Sequence, residues 1–306
     1  MWEDYKQNLH VHTCYCDGNN TPEELVLQAI EWGFEGIGFS SHSYTPWDSS
    51  HDHYLAGGNT IDFSHMPYGP DPHMWPEYAA KYRQEIGALK KKYQGLLHIF
   101  CGLEYDLASP CSLDGYDYII GACHFLKIEG QIVNYDEGII TVDGVRLPST
   151  KLVIDQYFCG DAIRFAKSYY DTFIHLLKDA RQKDIRIDII GHFDIISNYC
   201  KKYHIFDENC KAYQSIALDA LHAVIKDVKI FEVNTSALPS NRDFPNPAPF
   251  LLKELKMLGG SVLITSDCHD KKYLQHGFDI ALEVIQACGF DEILILSDKG
   301  FQGIKI

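Results

Sequence analysis

Short apolar runs alternate with amphipathic segments along the whole chain. Runs of strand length occupy Gln7–His12, Gly36–Ser41, His98–Glu104, Tyr118–His124, Ile187–His192, Ile230–Asn234, Val262–Asp267 and Ile293–Leu296. Several are nearly continuous, as in Ile187-Asp188-Ile189-Ile190-Gly191 and Val262-Leu263-Ile264. That is how strands covered on both faces read. Between them the apolar spacing turns helical. Thr21-Pro22-Glu23-Glu24 combines an N-cap, a proline at the first helical position and acids in the first turn. It starts a helix whose apolar stripe is Leu25, Leu27, Ala29 and Ile30, and which Gly33 ends. The same spacing predicts helices over Pro76–Tyr93, Asp161–Lys183, Asn209–Lys226, Pro249–Leu258 and Gly277–Ala287.

Strand-helix alternation through the full length implies a parallel α/β sheet. No Gly-rich phosphate loop follows the first strand, and polar chemistry follows nearly every strand. Both features favour a closed barrel, which assembles its site from the C-terminal ends of many strands. The 306 residues suit one such barrel, so residues 1–306 read as a single domain. Two stretches interrupt the alternation. Tyr44–Trp75 is rich in Gly, Pro, Asp and His. Leu126–Gly160 holds a hairpin pattern, with Asp143-Gly144 between Ile139-Ile140-Thr141-Val142 and Val145-Arg146-Leu147. Both insertions (about 44–75 and 126–160) follow strand ends on the functional side, so they read as lids or substrate walls.

Composition narrows the classes. A net charge of −15 argues against a nucleic-acid surface. No run approaches the roughly 20 apolar residues of a membrane span. Met1-Trp2-Glu3-Asp4-Tyr5 lacks the basic-then-apolar pattern of a secretion signal. With ten cysteines and no such signal, the expected compartment is the reducing cytoplasm. Cys14, Cys16 and Cys268 neighbour the polar motifs and read as supporting or packing residues.

The 15 histidines carry the chemistry. His10 and His12, two apart on a strand, share a face and can hold one metal ion. His42, Glu104, His124 and His192 each close an apolar run, and Asp267 and His269 follow Val262–Ser266. Alone, each reads as a hydrogen-bonded core histidine or a turn carboxylate. Repetition at successive strand ends does not, because a barrel brings all of those ends to one rim. Six histidines (His10, His12, His42, His124, His192, His269) and three carboxylates (Asp17, Glu104, Asp267) form a nine-ligand set. At about three protein ligands per catalytic ion, nine fit three divalent ions, with mixed N and O donors suited to Zn, Mn or Fe.

These motifs resemble the PHP (polymerase and histidinol phosphatase) superfamily nearly end to end. The resemblance rests on His10-Val11-His12-Thr13 with Asp17-Gly18, Gly38–His42, Gly102-Leu103-Glu104, His124, Gly191-His192-Phe193-Asp194, Glu232-Val233-Asn234-Thr235-Ser236 and Ser266-Asp267-Cys268-His269. It is strongest to the monofunctional histidinol-phosphate phosphatase branch. The resemblance implies a distorted (β/α)7 TIM-like barrel with a trinuclear centre. His10, His12, Glu104 and Asp267 would hold one ion; Glu104, His124 and His192 a second; Asp17, His42 and His269 a third. Asp17 departs from other branches, which place a histidine there. The implied activity is hydrolysis of a small phosphomonoester by metal-activated hydroxide, foremost L-histidinol phosphate in histidine biosynthesis. Glu104, Asp267 and His269 are the catalytic candidates, and the leaving alcohol takes its proton from metal-bound water, Asp267 or His269. Arg164 and Arg242 are candidate phosphate contacts, because a planar guanidinium fits two oxygens. Asn234 is a candidate contact to the amino alcohol. Competing readings are a PHP phosphoesterase acting on nucleotides or nucleic-acid ends and a non-catalytic metal-binding module.

Overall fold

The computed structural model describes residues 6–43, 75–106, 109, 112–128, 131–136, 139–142, 145–238 and 242–306. The first insertion, with His51, His53, His65 and His73, lies outside the described residues apart from Trp75. In chain order the elements are β1 (Gln7–Asn8), α1 (Pro22–Glu31), β2 (Gly36–His42), α2 (Trp75–Lys92), β3 (His98–Tyr105) and β4 (Tyr118–Gly121). Then come β5 (Phe125–Ile128), β6 (Gln131–Asn134), β7 (Ile139–Val142), β8 (Val145–Pro148), α3 (Ser149–Phe158) and α4 (Ala162–Gln182). The last are β9 (Ile189–Ile190), α5 (Cys200–Tyr203), α6 (Lys211–Val224), β10 (Ile230–Asn234), α7 (Pro249–Met257), β11 (Ser261–Thr265), α8 (Phe278–Ala287), β12 (Glu292–Ser297) and β13 (Gly300–Lys305).

Seven strands pair in the order β1-β2-β3-β4-β9-β10-β11, all in parallel. The ends meet. Val11 bridges Cys268 in parallel, the His12 N–H donates to the Cys268 carbonyl at 3.0 Å, and Asn8 Nδ2 donates to Ser266 Oγ at 2.7 Å. A curled seven-stranded sheet whose edges touch is the distorted (β/α)7 barrel expected from the sequence. Closure leaves no long open edge.

The barrel interior is layered. Leu9, Phe100, Tyr118, Ile120, Ile189 and Leu263 form its lower layer. Tyr118 is fully buried, and its hydroxyl donates to the carbonyls of Leu9 and Phe39, so a polar tip is satisfied across the interior. The ring fits because Gly38 and Gly102 stand opposite it. A Cβ at either glycine would overlap Tyr118 atoms. Ile293–Leu296, expected among the strands, belongs to an antiparallel hairpin of β12 with β13 that closes the floor. Leu296 joins the lower layer, and the Gln7 amide pairs with its backbone at 2.7 and 2.9 Å. That hairpin replaces an eighth parallel strand.

The second insertion is more ordered than a loop reading implied. Its expected hairpin is present as β7 paired with β8, with the 143–144 turn outside the described residues. A further hairpin, β5 with β6, precedes it, and α3 follows. Thr21 caps α1 through a capping box with Glu24.

The packing around Tyr118 can be tested directly. Gly102→Ala should cost about 1–3 kcal/mol of unfolding free energy in chemical denaturation, because the core must shift to admit a methyl group. Gly87→Ala, in the interior of α2 with nothing within 4 Å of the added carbon, should instead stabilise by about 0.5–1 kcal/mol. Equal responses at the two sites would contradict this account.

Candidate metal centre

Strand register begins the site. In the β2–β3 pair His42 stands directly opposite Glu104, and neighbouring positions in a parallel sheet project to the same side. His42 Nδ1 accordingly lies 2.8 Å from Glu104 Oε2. His10 and His12 leave the β1 end together, and their Nε2 atoms stand 3.4 and 3.5 Å from Glu104 Oε2. On the other oxygen, His192 Nε2 is 2.9 Å and His124 Nε2 is 3.4 Å from Glu104 Oε1. One carboxylate, 2% exposed, thus touches five imidazoles from four strand ends.

The remaining donors arrive through backbone devices. The segment after His12 folds back so that the N–H groups of Cys16 and Gly18 both reach the Thr13 carbonyl. A Cβ on Gly18 would stand 2.5 Å from the His12 carbonyl carbon, so only glycine permits the fold-back. It delivers Asp17 to 3.6 Å from His12, 3.5 Å from His42 and 3.1 Å from His269. Asp267 adopts a left-handed backbone, φ 49°, which costs a non-glycine residue on the order of 1 kcal/mol or more. The turn lets its carboxylate reach His12 at 3.1 Å and His10 at 3.5 Å while its carbonyl takes His269 Nδ1 at 3.1 Å.

All nine side chains singled out in the sequence therefore converge. Four overlapping groups each bring one donor per residue within 4.8 Å of the others: His12, Asp17, His42 and His269; His10, Glu104 and His192; His10, His12 and Asp267; His42, Glu104 and His124. The grouping differs in detail from the resemblance-based partition, since His12 also joins Asp17 and His42 also joins His124.

The electrostatics match a cation site. Burial opposes charge on each group, and the partners outweigh it. Burial would raise Glu104, but His10, His42 and His124 hold it well below the usual carboxylate range. Asp17 is held down against burial by His269 and His42, and Asp267 by His10 and His12. Conversely, His10 and His42 stay well above 6.5 despite burial, because Asp267, Glu232 and Glu104 face the first and Asp17 and Glu104 the second. His124 rises to about 9 against burial through Glu104 and Asp106. Without ions, protonated histidines offset the charge of the carboxylates. The substitution is imperfect: His10 Nε2, His12 Nε2, Glu104 Oε2 and Asp17 Oδ1 are buried without a well-formed hydrogen bond. Such orphans cost about 1–3 kcal/mol each. Imidazole nitrogens and carboxylate oxygens, aimed at one another and unsatisfied, fit divalent cations.

The sequence profile of the PHP domain family matches residues 8–236, about three quarters of the chain. The chain belongs to the PHP domain family. Over 296 residues it is 24% identical to a histidinol-phosphatase of Bacillus subtilis (strain 168), covering 91% of this chain and 98% of that one. In fold it is similar to the histidinol phosphate phosphatase of Lactococcus lactis subsp. lactis Il1403, solved with zinc, L-histidinol and phosphate. The TM-score is 0.61 at 20% identity, covering 97% of this chain and 98% of the other.

This PHP site has supports that sequence reasoning left without a role. Glu232 is fully buried. It accepts His10 Nδ1 at 2.8 Å, the His192 N–H at 2.7 Å, Thr265 Oγ1 at 3.0 Å and Asn234 Nδ2 at 2.9 Å. Asp106 accepts both the N–H and Nδ1 of His124, at 2.7 and 2.8 Å. Each carboxylate takes the Nδ1 proton and turns Nε2 toward Glu104, the usual orienting device for ligand histidines. Glu232 lies inside the quoted Glu232–Ser236 motif, so its signal was available. Asp106 sits two residues beyond Glu104 and had none. Cys16 Sγ lies 3.3 Å from His12 Nδ1 in the same orienting position, while burial pushes the Cys14 and Cys268 thiols up to about 11 and 12.

The arginine expectations divide. Arg242 is 2% exposed, and its terminal nitrogens are already committed to Asn246, Asp194 and Glu208. Its ring-stacked guanidinium, 4.6 Å from the Phe244 centroid, ties the segment after β10 to the segment after His192. That burial corrects the phosphate-contact reading, since the fork is spent on protein groups. Asn234 is likewise buried. Its amide donates to Glu232 and to Asp267 Oδ2 at 3.2 Å and its oxygen accepts the Ser236 N–H, so it orients Asp267. Arg164 lies exposed in the first turn of α4.

Two outcomes test the centre. Glu232→Gln should weaken metal retention about 10- to 100-fold in chelator competition, since it loosens two ligand histidines at once. The second is a pH response. A histidine with a raised folded pKa stabilises the metal-free fold below about 6.5, and that contribution is lost as pH climbs through about 9. Metal binding needs the same ring deprotonated. The rise in Tm produced by added Zn or Mn should therefore grow between pH 6.5 and 9; a flat difference would count against the pairing described.

Proposed function

We propose that this PHP protein is a metal-dependent phosphomonoesterase that converts L-histidinol phosphate to L-histidinol and phosphate, a reaction of histidine biosynthesis. The observation that carries the reading is the convergence of nine N- and O-donor residues in overlapping groups around Glu104, with five of their buried side-chain atoms lacking hydrogen bonds. The number of donors supports three divalent ions, Zn, Mn or Fe. The substrate assignment draws on the Bacillus subtilis relative, matched over nearly the full length of both chains.

Divalent ions in this cluster supply Lewis acidity toward phosphoryl oxygens and acidify water to act near neutral pH. The protein's own groups do the rest. Glu104, Asp17 and Asp267 offset part of the cation charge and leave a net positive pocket in an acidic protein, suited to a phosphate dianion. Glu232, Asp106 and Asn234 fix the donors before substrate arrives, so little reorganisation is needed during reaction. His42 and His269, 36% and 39% exposed, mark the open side of the cluster. His269 and Asp267 hold that rim, next to where the leaving alcohol departs. Arg164 is the remaining arginine candidate for the phosphate, because α4 leads into the parallel strand β9 and its first turn therefore belongs to the C-terminal end of the barrel.

A phosphatase panel with Mn, Zn and Fe tests the reading. L-histidinol phosphate should be turned over with a kcat/KM at least about tenfold above simple alkyl phosphates. Preference for nucleotides or phosphodiesters would redirect the assignment within the PHP family, and absence of turnover with every metal would remove it. Arg164→Ala should raise KM about tenfold or more at near-constant kcat, as expected for a lost charged hydrogen bond.

A further inference from the structure

The second insertion brings one carboxylate to the site that the metal set does not use. Asp136 follows β6, whose partner β5 begins right after His124. The residue before it is fixed on four sides. The Tyr135 N–H donates to the His124 carbonyl at 3.3 Å, and its hydroxyl donates to the Cys123 carbonyl. Its carbonyl accepts Ser149 Oγ at 2.7 Å and Thr150 Oγ1 at 3.1 Å. The Asp136 N–H is held by Asn134 Oδ1 at 2.8 Å. So Asp136 sits on a rigid mount built against a ligand-bearing strand end.

Its side chain, by contrast, has no hydrogen-bond or ion-pair partner among the described residues. It is half-buried, and burial pushes its carboxyl up from the usual range. Its charge is felt on one side by His124, His192, Glu104 and Asp267, and on another by Tyr199, half-buried in the segment after His192. None of these is a direct contact. A rigidly mounted, unpaired anion beside a cation cluster is costly unless something positive completes it. It would repel a phosphate, which the cations take. It suits the other end of the substrate.

We propose that Asp136 is the specificity-determining residue that receives the cationic amino group of the substrate while the phosphate lies at the metal cluster, with Tyr199 as an adjoining aromatic wall. This rests on the phosphomonoesterase reading and narrows it to amine-bearing phosphates. Two charges of opposite sign, held at opposite ends of one pocket, select amino-alcohol phosphates over neutral alkyl phosphates. A charge-assisted hydrogen bond is the interaction lost when the amine is absent.

The experiment compares substrates differing only in the amine: L-histidinol phosphate against its deamino analogue, and 2-aminoethyl phosphate against ethyl phosphate. Wild type, Asp136→Asn and Asp136→Glu are each loaded with the same metal. Asp136→Asn should raise KM for the amine-bearing member of each pair about 10- to 100-fold, leave kcat within about threefold, and erase the preference over the amine-free member. Asp136→Glu should restore part of it, and metal content per chain should be unchanged in both variants. Equal KM changes for both members of a pair, or none, would overturn the proposal; so would loss of bound metal, which would make Asp136 a ligand. If wild type ignores L-histidinol phosphate but prefers 2-aminoethyl phosphate in an Asp136-dependent way, the substrate assignment fails and the role of Asp136 stands.

Discussion

A carboxylate buried in the mouth of a barrel cannot remain charged alone. Glu104 is that carboxylate, and the rest of the site follows from satisfying it. Its desolvation cost is offset only by positive charge at contact distance, and the fold surrounds it with five imidazoles. Imidazole serves two states of the protein. Protonated, it pairs with Glu104 and lets the barrel fold without ions. Deprotonated, it presents a lone pair to a cation. The metal-free and metal-loaded proteins thus share one framework, and ion uptake exchanges protons for cations without repacking the core.

That exchange demands stiff donors, which explains the number of polar groups buried behind the ligands. Glu232 spends its two oxygens on four partners, linking β9, β10, β11 and the end of β1. Asp106 secures His124 twice. Arg242, Asp194 and Glu208 form a further buried charge cluster, joined by Asn246 and the Ala248 N–H, that fixes the segments following His192 and β10. Breaking one member of such a cluster strands the others, so its worth lies in position more than in net stability. The strained backbone of Asp267 belongs to the same economy: local strain is tolerated where surrounding contacts fix the geometry.

The sequence exposed what periodicity and repetition can carry. Each barrel strand was visible as an apolar run, and β10 was bounded to the residue. The ligands were visible because polar residues ending successive apolar runs must share one rim. What stayed hidden was tertiary. Ile293–Leu296 reads like a barrel strand, yet its partner is β13, whose Gly300–Lys305 pattern is too polar to announce a strand. Arg242 reads as a phosphate contact in a Pro-flanked turn; only the fold shows Asp194 and Glu208, 48 and 34 positions away, taking its terminal nitrogens. Asn234 was drawn toward substrate because it ends a strand, but its amide turns sideways onto Asp267.

The position of Asp136 shows how an insertion can alter selectivity without touching the chemistry. The barrel and its nine donors are set by β1 to β4 and β9 to β11, and they would cleave any phosphomonoester that fits. The stretch between β4 and β9 is free of that duty, because a parallel connection needs only to cross back over the sheet. Here it spends its length on two hairpins and two helices, and Tyr135 is held rigid by the His124 and Cys123 carbonyls and by Ser149 and Thr150 of α3. An anchor of that kind has little value to the barrel, which is already closed. It has value if the next residue must keep its place against the pull of nearby cations. A carboxylate on a flexible loop beside divalent ions would collapse onto them and become one more ligand; fixed through its neighbour's backbone, it stays available to an ammonium group.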